Sequence, residues 1–243
     1  MITLFKKELS LFFSSIIGPL IIGLFLLFNG LLLWSNISQF NIANNAYASM
    51  DAFFTLAPLL FMLFIPAISM RTFSEEYNTG TIEILITKPI TEYQIIISKF
   101  LAILTLVIIS IIPTCLYVIT IYFLGETIGN LDLAGISGSY IGLFILSSIF
   151  TSIGVFASSI SNNQIIAFII GIMISVIFYF GFDLLSEIQA LQSIDLILKK
   201  IGISYHYNIM SKGLLLVSSM VYLLSITFIF LKLSEITLLN KNK

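Results

Sequence analysis

Arg71-Thr-Phe-Ser-Glu-Glu-Tyr-Asn-Thr-Gly-Thr-Ile-Glu83, continued by Lys88-Pro89-Ile-Thr-Glu-Tyr-Gln94 and closing at Lys99, is the longest charge-bearing run between two hydrophobic spans of this 243-residue chain. It sets Arg71, Lys88 and Lys99 against Glu75, Glu76, Glu83 and Glu92. Its surroundings give it meaning: 58% of the residues are hydrophobic, 9% are charged and the mean hydropathy is +1.10. A soluble domain carries about 25% charged residues, so the shortfall decides the class. The chain reads as an all-α polytopic membrane protein, and the run is a polar island that a soluble partner can grip.

Working outward, windows of the ~20 residues that a spanning helix needs mark six spans, near 15–34, 53–70, 97–124, 139–159, 165–182 and 213–233. Together they make one transmembrane domain over 1–243. Ahead of the first span, Ile2, Phe5, Leu9 and Phe12 recur at helical spacing with Lys6, Lys7 and Glu8 between them. That pattern predicts an amphipathic helix lying at the membrane surface. The apolar run behind it exceeds the about 7–15 residues of a signal sequence, so it is expected to be retained. Pro113 in the third span removes a backbone donor and predicts a tilt or kink there, and Pro58 and Pro66 raise the same expectation in the second.

An even number of spans puts both termini on one side. Lys6, Lys7, Arg71, Lys88, Lys99, Lys232, Lys241 and Lys243 gather there, against Lys199, Lys200 and Lys212 opposite. The positive-inside tendency then places both termini and the island in the cytoplasm. The loops 35–52 and 125–138 face outward and hold Asp51, Glu126 and Asp132 without Lys or Arg. In the last outer segment, Ser193 to Gly202 has the pattern of a short amphipathic helix ended by the glycine.

Several function classes fall away. A net charge of -1 leaves no basic surplus for nucleic-acid phosphates. One cysteine, Cys115, excludes an intramolecular disulfide and a cysteine-based metal site, and the single histidine, His206, lacks metal-ligand company. Span interiors almost free of charge argue against an ion-coupled carrier. No nucleophile and base stand together as an intramembrane enzyme requires.

Within the island, Phe73, Tyr77 and Ile84 share one helical face, while Glu75, Glu76, Thr79 and Glu83 fall largely opposite. Gly80 predicts a break, giving a helix, a glycine joint and a second short piece. Thr91-Glu-Tyr-Gln94 matches a capping box and predicts a capped start for the third span.

These residues carry a resemblance. Arg71-x3-Glu75-Glu76-x3-Gly80-Thr81-x-Glu83-x-Leu85-x2-Lys88-Pro89-Ile90, with Lys99-Phe-Leu-Ala102, resembles the segment after the second span of type-2 ABC exporter permeases. Tyr47-Ala-Ser-Met-Asp51, Ile65-Pro-Ala-Ile68, Phe156-Ala-Ser-Ser159, Asn163-Gln164, Tyr179-Phe-Gly-Phe-Asp183 and Gly202-Ile-Ser-Tyr-His-Tyr207 look like the permease of the gliding-motility-associated ABC transporter. Tyr77-Asn78 stands where many relatives carry basic residues.

The resemblance implies a six-span permease that pairs with a second copy or a sister permease and rests on two cytoplasmic ABC ATPase subunits. The N-terminal helix, about 2–13, would lie at the inner surface, and about 71–86 would be the coupling helix. The outer segment around 186–210 would match the family's partly re-entrant helices. ATP and Mg would be bound by the partner, because the sequence holds no G-x-x-x-x-G-K-[ST] phosphate loop. Arg71, Phe73, Glu75, Glu76, Tyr77, Gly80, Thr81 and Glu83 are the expected ATPase-coupling residues. Phe73 and Tyr77 would seat in an ATPase groove, and the glutamates would orient the contact through charge pairs. A non-transporting, ATP-driven scaffold for envelope assembly would share all these features.

Overall fold

In the computed structural model, residues 1–35, 39–42, 49–87, 89–125, 129–188 and 193–241 are described. Lys88, Glu126, Lys243 and the Tyr47-Ala48 part of the resemblance lie outside them, as do the side chains of Ile84 and Ile86. Among the described residues every regular element is helical, and six stretches are long and apolar enough to cross a membrane.

The order is α1 (Ile2–Ser14), α2 (Ile17–Trp34), α3 (Asp51–Ser69), α4 (Arg71–Thr79), α5 (Thr81–Ile86), α6 (Glu92–Ile111), α7 (Cys115–Leu124), α8 (Leu133–Ile160), α9 (Gln164–Val176), α10 (Phe182–Ser186), α11 (Asp195–Ile201), α12 (Ile203–Met210) and α13 (Val217–Lys241). The spans are α2, α3, α6 with α7, α8, α9 with α10, and α13. The predicted spans are all present. A four-residue shift at the start of the last one has a physical cause. Gly213 takes a left-handed turn (φ 81°) hard against Gly135, where a Cβ would meet backbone at 2.4 Å. Leu214 to Leu216, apolar as they are, therefore connect, and the helix starts only at Val217.

Proline acts differently in two spans. At Pro113 the helix tightens into a 3-10 turn, Ile112–Thr114, between α6 and α7, as the missing donor predicts. Helix α3 instead runs unbroken through Pro58 and Pro66. Pro58 has no N–H for the Phe54 carbonyl, and the Tyr207 hydroxyl of α12 donates to that oxygen at 2.7 Å. The repair is buried, with Tyr207 1% exposed. It seats the outer segment on α3, as membrane helices with proline require a neighbour to do. Between α9 and α10 a π-helical turn, Ile177–Gly181, places the buried Tyr179 ring near Tyr207 and Phe150. Such turns insert one extra residue and re-aim side chains. Nothing in the local sequence announced it.

Helix α8 is the axis. Its window is 83% buried, against 28% for α2 and 22% for α9, so the outer spans leave apolar flanks to lipid or to another chain. It packs on α3, α4, α6, α9, α12 and α13. Its serines and glycines permit close approach and bond across, the usual means of joining helices where lipid removes the hydrophobic drive. Ser139 donates to the Ser211 carbonyl at 2.8 Å, and Ser159 and Thr237 share a bond at 2.7 Å.

Candidate functional site

The island is folded as its sequence predicts and held in ways that it does not. Helix α3 ends at Ser69, Met70 joins it to α4, and α4 begins with no side-chain cap of its own. The hydroxyl of Ser158 on α8 supplies one from 85 residues away. It accepts from the amides of Phe73 (3.0 Å) and Ser74 (3.2 Å) and donates to the Met70 carbonyl (3.0 Å). The Thr72 hydroxyl donates to Ser69 O at 2.6 Å, and that of Ser74 to Met70 O. The four orphan amides of a helix start are costly when buried, so α8 fixes where α4 leaves the bundle.

Gly80 then makes the joint. Its φ of 72° is left-handed, a conformation nearly reserved for glycine, and α5 follows. The Thr79 hydroxyl donates to Glu75 O at 2.8 Å and lies 3.0 Å from that of Thr81, bracing the turn. Asn78, Thr79, Gly80, Thr81 and Glu83 are exposed and form a polar tip. Thr91 caps α6 by accepting from the Gln94 amide at 3.3 Å, as the capping pattern predicts.

Behind the tip lies a buried charge cluster. Lys99, 0% exposed on α6, donates to the Thr72 carbonyl (2.6 Å) and pairs with Glu76 of α4 (2.9 Å) and Glu8 of α1 (3.3 Å). Its ammonium sits 4.9 Å from the Phe73 ring centre. Lys7 reaches the same carboxylates at 3.3 and 3.2 Å. Burial works against the Lys7 charge, and Glu8 and Glu76 more than offset it, holding that amine above the ordinary lysine value. Two cations and two carboxylates therefore balance where an isolated charge would be expelled. On the other flank, the Lys241 ammonium at the end of α13 lies 4.0 Å above the half-buried Tyr77 ring and donates to Asn162 at 2.9 Å.

Three expectations change. Phe73 does not face outward for a groove: it is fully buried beneath Lys99. Glu76 is turned inward to Lys99 and Lys7, because a buried ammonium needs compensation more than an exposed face needs charge. Glu8 is not on the polar side of α1. It shares the inward face with Leu4 and Phe12. The expected residues Arg71 and Glu75 form a bidentate pair (2.7 and 2.9 Å) along the helix, Tyr77 packs under Lys241, and Gly80, Thr81 and Glu83 lie at the tip.

Sequence reasoning missed Lys7, Glu8, Lys99 and Ser158, which lie behind the tip and hold its root. A signal existed for two. Glu8 sits at i±4 from Leu4 and Phe12, and Lys99 interrupts an apolar run, both misplaced charges of the kind that mark function in membranes. Ser158 carries none. Among the described residues no group of three or more His, Cys, Asp or Glu is placed to hold a metal. On the far side, the His206 ring nitrogens lie 2.9 Å from Lys200 O and 3.0 Å from Ser219 Oγ. The carbonyl can only accept, so Nε2 carries the proton and Nδ1 accepts from the serine. Burial holds the ring below its ordinary value, and the bond to Lys200 opposes that. This is the packed histidine of a helix junction.

Residues 26–239 match the family model described as ABC-2 family transporter protein. No curated protein matches the chain. The match begins within α2, so α1 precedes it, whereas Ser158, Glu76, Lys99 and the tip fall inside it.

Proposed function

The chain belongs to the ABC-2 transporter family, a membrane subunit of an ABC transporter, and from that premise we propose that it is the permease of an exporter worked by separate cytoplasmic ATPase subunits. The tip Asn78 to Glu83 is the surface that those subunits grip. The observation that carries the reading is the way the tip is held: it projects from a helix capped in trans by α8, on the side of the bundle where α1 and the end of α13 also lie. A lever needs a rigid root and a free end, and α4 with α5 has both. The basic residues on that side make it cytoplasmic, in a bacterial inner membrane with both termini inside.

ATP and Mg belong to the partner, whose closure moves the tip and shifts the spans between inward- and outward-facing arrangements. Each state must be favoured by a differential contact there. Glu75, 41% exposed in its side chain, and Glu83 give the contact an acidic character, which favours a basic groove in the ATPase. The bundle pairs with a second copy or a sister permease across its apolar flanks. Assignment to gliding-motility-associated transport, and the outward direction, rest on the sequence resemblance. Glu75→Lys/Glu83→Lys is expected to strip the ATPase from the membrane or uncouple hydrolysis from transport. Normal assembly and transport in that variant would overturn the reading.

A further inference from the structure

Between α1 and the α4–α5 lever lie two cavities. One, about 420 Å³, is lined by residues including Met1, Leu4, Thr81 and Leu85, and the other, about 460 Å³, by Leu11, Phe12, Ser15 and Arg71 among others. Lys7 and Glu76 line both. Helix α1 packs on α6 and α2. Toward the lever, it reaches across open space through charge: Lys7 to Glu76, and Glu8 to Glu76 by way of Lys99.

We propose that Lys7, Glu8, Lys99 and Glu76 form an ionic clasp that makes the surface helix α1 move with the lever. A push on the tip would then be delivered to the membrane surface as well as to the spans. This rests on reading the tip as the ATPase contact. Four features lead to it. First, the link is charged and directional. Lys99 is wholly buried, so its ammonium must stay with the carboxylates wherever they go, because separation would leave a buried charge without its partners. Second, Glu76 shares a helical body with the start of the tip: three residues separate it from the joint at Gly80, with no break between. Third, α1 meets the lever across open space, while its other side packs on α6 and α2. The cavities on both sides of the clasp leave room for displacement, whereas close packing would either transmit every motion or forbid it. Fourth, the apolar residues Ile2 and Phe13, eleven positions apart on the face of α1 opposite Leu4 and Glu8, are exposed and meet the lipid surface, so a tilt of α1 alters its depth there.

In this scheme Lys99, Glu8 and Glu76 are positioning residues. Lys7 is the outer tie that keeps the sum of charges at zero. Lys7→Gln/Glu8→Gln cuts α1 out of the clasp and preserves neutrality, leaving Lys99 paired with Glu76. The variant is therefore expected to fold and to retain the lever.

The test uses the full chain, with Cys115→Ser removing the exposed native thiol, in lipid nanodiscs. In the chain alone, spin labels at Ser10→Cys and Asn78→Cys, both exposed positions, are expected to give one narrow distance distribution, broadened at least twofold by Lys7→Gln/Glu8→Gln. With the native ATPase subunit bound, labels at Ser10→Cys and Ile236→Cys report α1 against the bundle. ATP trapping is expected to shift that distance in the unaltered clasp and to leave it unshifted in the double variant, whose ATPase binding and hydrolysis stay within twofold. A shift of equal size in both, or none in either, overturns the clasp. Failure of the ATPase to bind the unaltered chain instead overturns the reading of the tip, and an unchanged Ser10–Asn78 distribution in the double variant overturns the clasp independently of any ATPase.

Discussion

Lys99→Met keeps the buried stem and deletes the ammonium. What remains is severe: Glu8, 6% exposed, and Glu76, 14% exposed, face each other with only Lys7 as counter-ion, and Lys7 is itself 47% exposed. The Thr72 carbonyl also loses its 2.6 Å donor. Removing one partner of a buried pair costs about 3–5 kcal/mol. Lys7 persists at 3.2–3.3 Å from both carboxylates, and the flanking cavities admit water, so the lower end applies, about 3 kcal/mol. Reversible unfolding in mixed micelles measures it. The second half of the prediction is non-additivity. Lys99→Met/Glu8→Gln removes one charge of each sign and leaves Lys7 with Glu76, so the double variant is expected to lie ~1–2 kcal/mol above the sum of the singles. A single-variant cost below about 1 kcal/mol, the range of exposed pairs, or strict additivity, would refute the buried-clasp energetics.

Tyr207→Phe leaves the Phe54 carbonyl without a donor and is expected to cost about 1–3 kcal/mol in the same unfolding assay. Pro58→Ala restores the helical amide and should recover most of that loss in the double variant but little in the unaltered protein. Gly80→Ala meets open space, so its cost is the left-handed backbone alone, about 1–2 kcal/mol, with Gly80→Asn milder by circular-dichroism melting. For His206, the folded value lies below the ordinary 6.5, so the native state binds fewer protons than the unfolded one. Stability is then full above 6.5 and falls as pH drops from there through the folded value; His206→Gln should flatten that slope between pH 5 and 7.5.

How much was legible follows from how far each cause reaches. Hydropathy, the Gly80 joint and the Thr91 cap were readable because each is decided within a few residues: a span by its own transfer into lipid, a left-handed turn by one missing Cβ, a cap by a hydroxyl three positions from its amide. The same locality explains the error at the last span, where Leu214 to Leu216 are apolar enough for a helix and Gly213 is pinned by a distant Gly135. The site was half legible. Its existence as a polar island and its exposed tip came from sequence, and which of its faces turns inward did not.

By itself, then, the sequence determined a six-span helical membrane protein with a jointed polar segment after the second span. Only the tertiary structure decided what that segment holds on to. Lys99 finds Thr72 at 27 residues and Glu8 at 91, Ser158 caps α4 across 85, and Tyr207 mends the Pro58 gap from 153. Buried charges and orphaned backbone groups must be satisfied by whatever the fold brings near. Hydropathy registers their cost, and only packing names the partner.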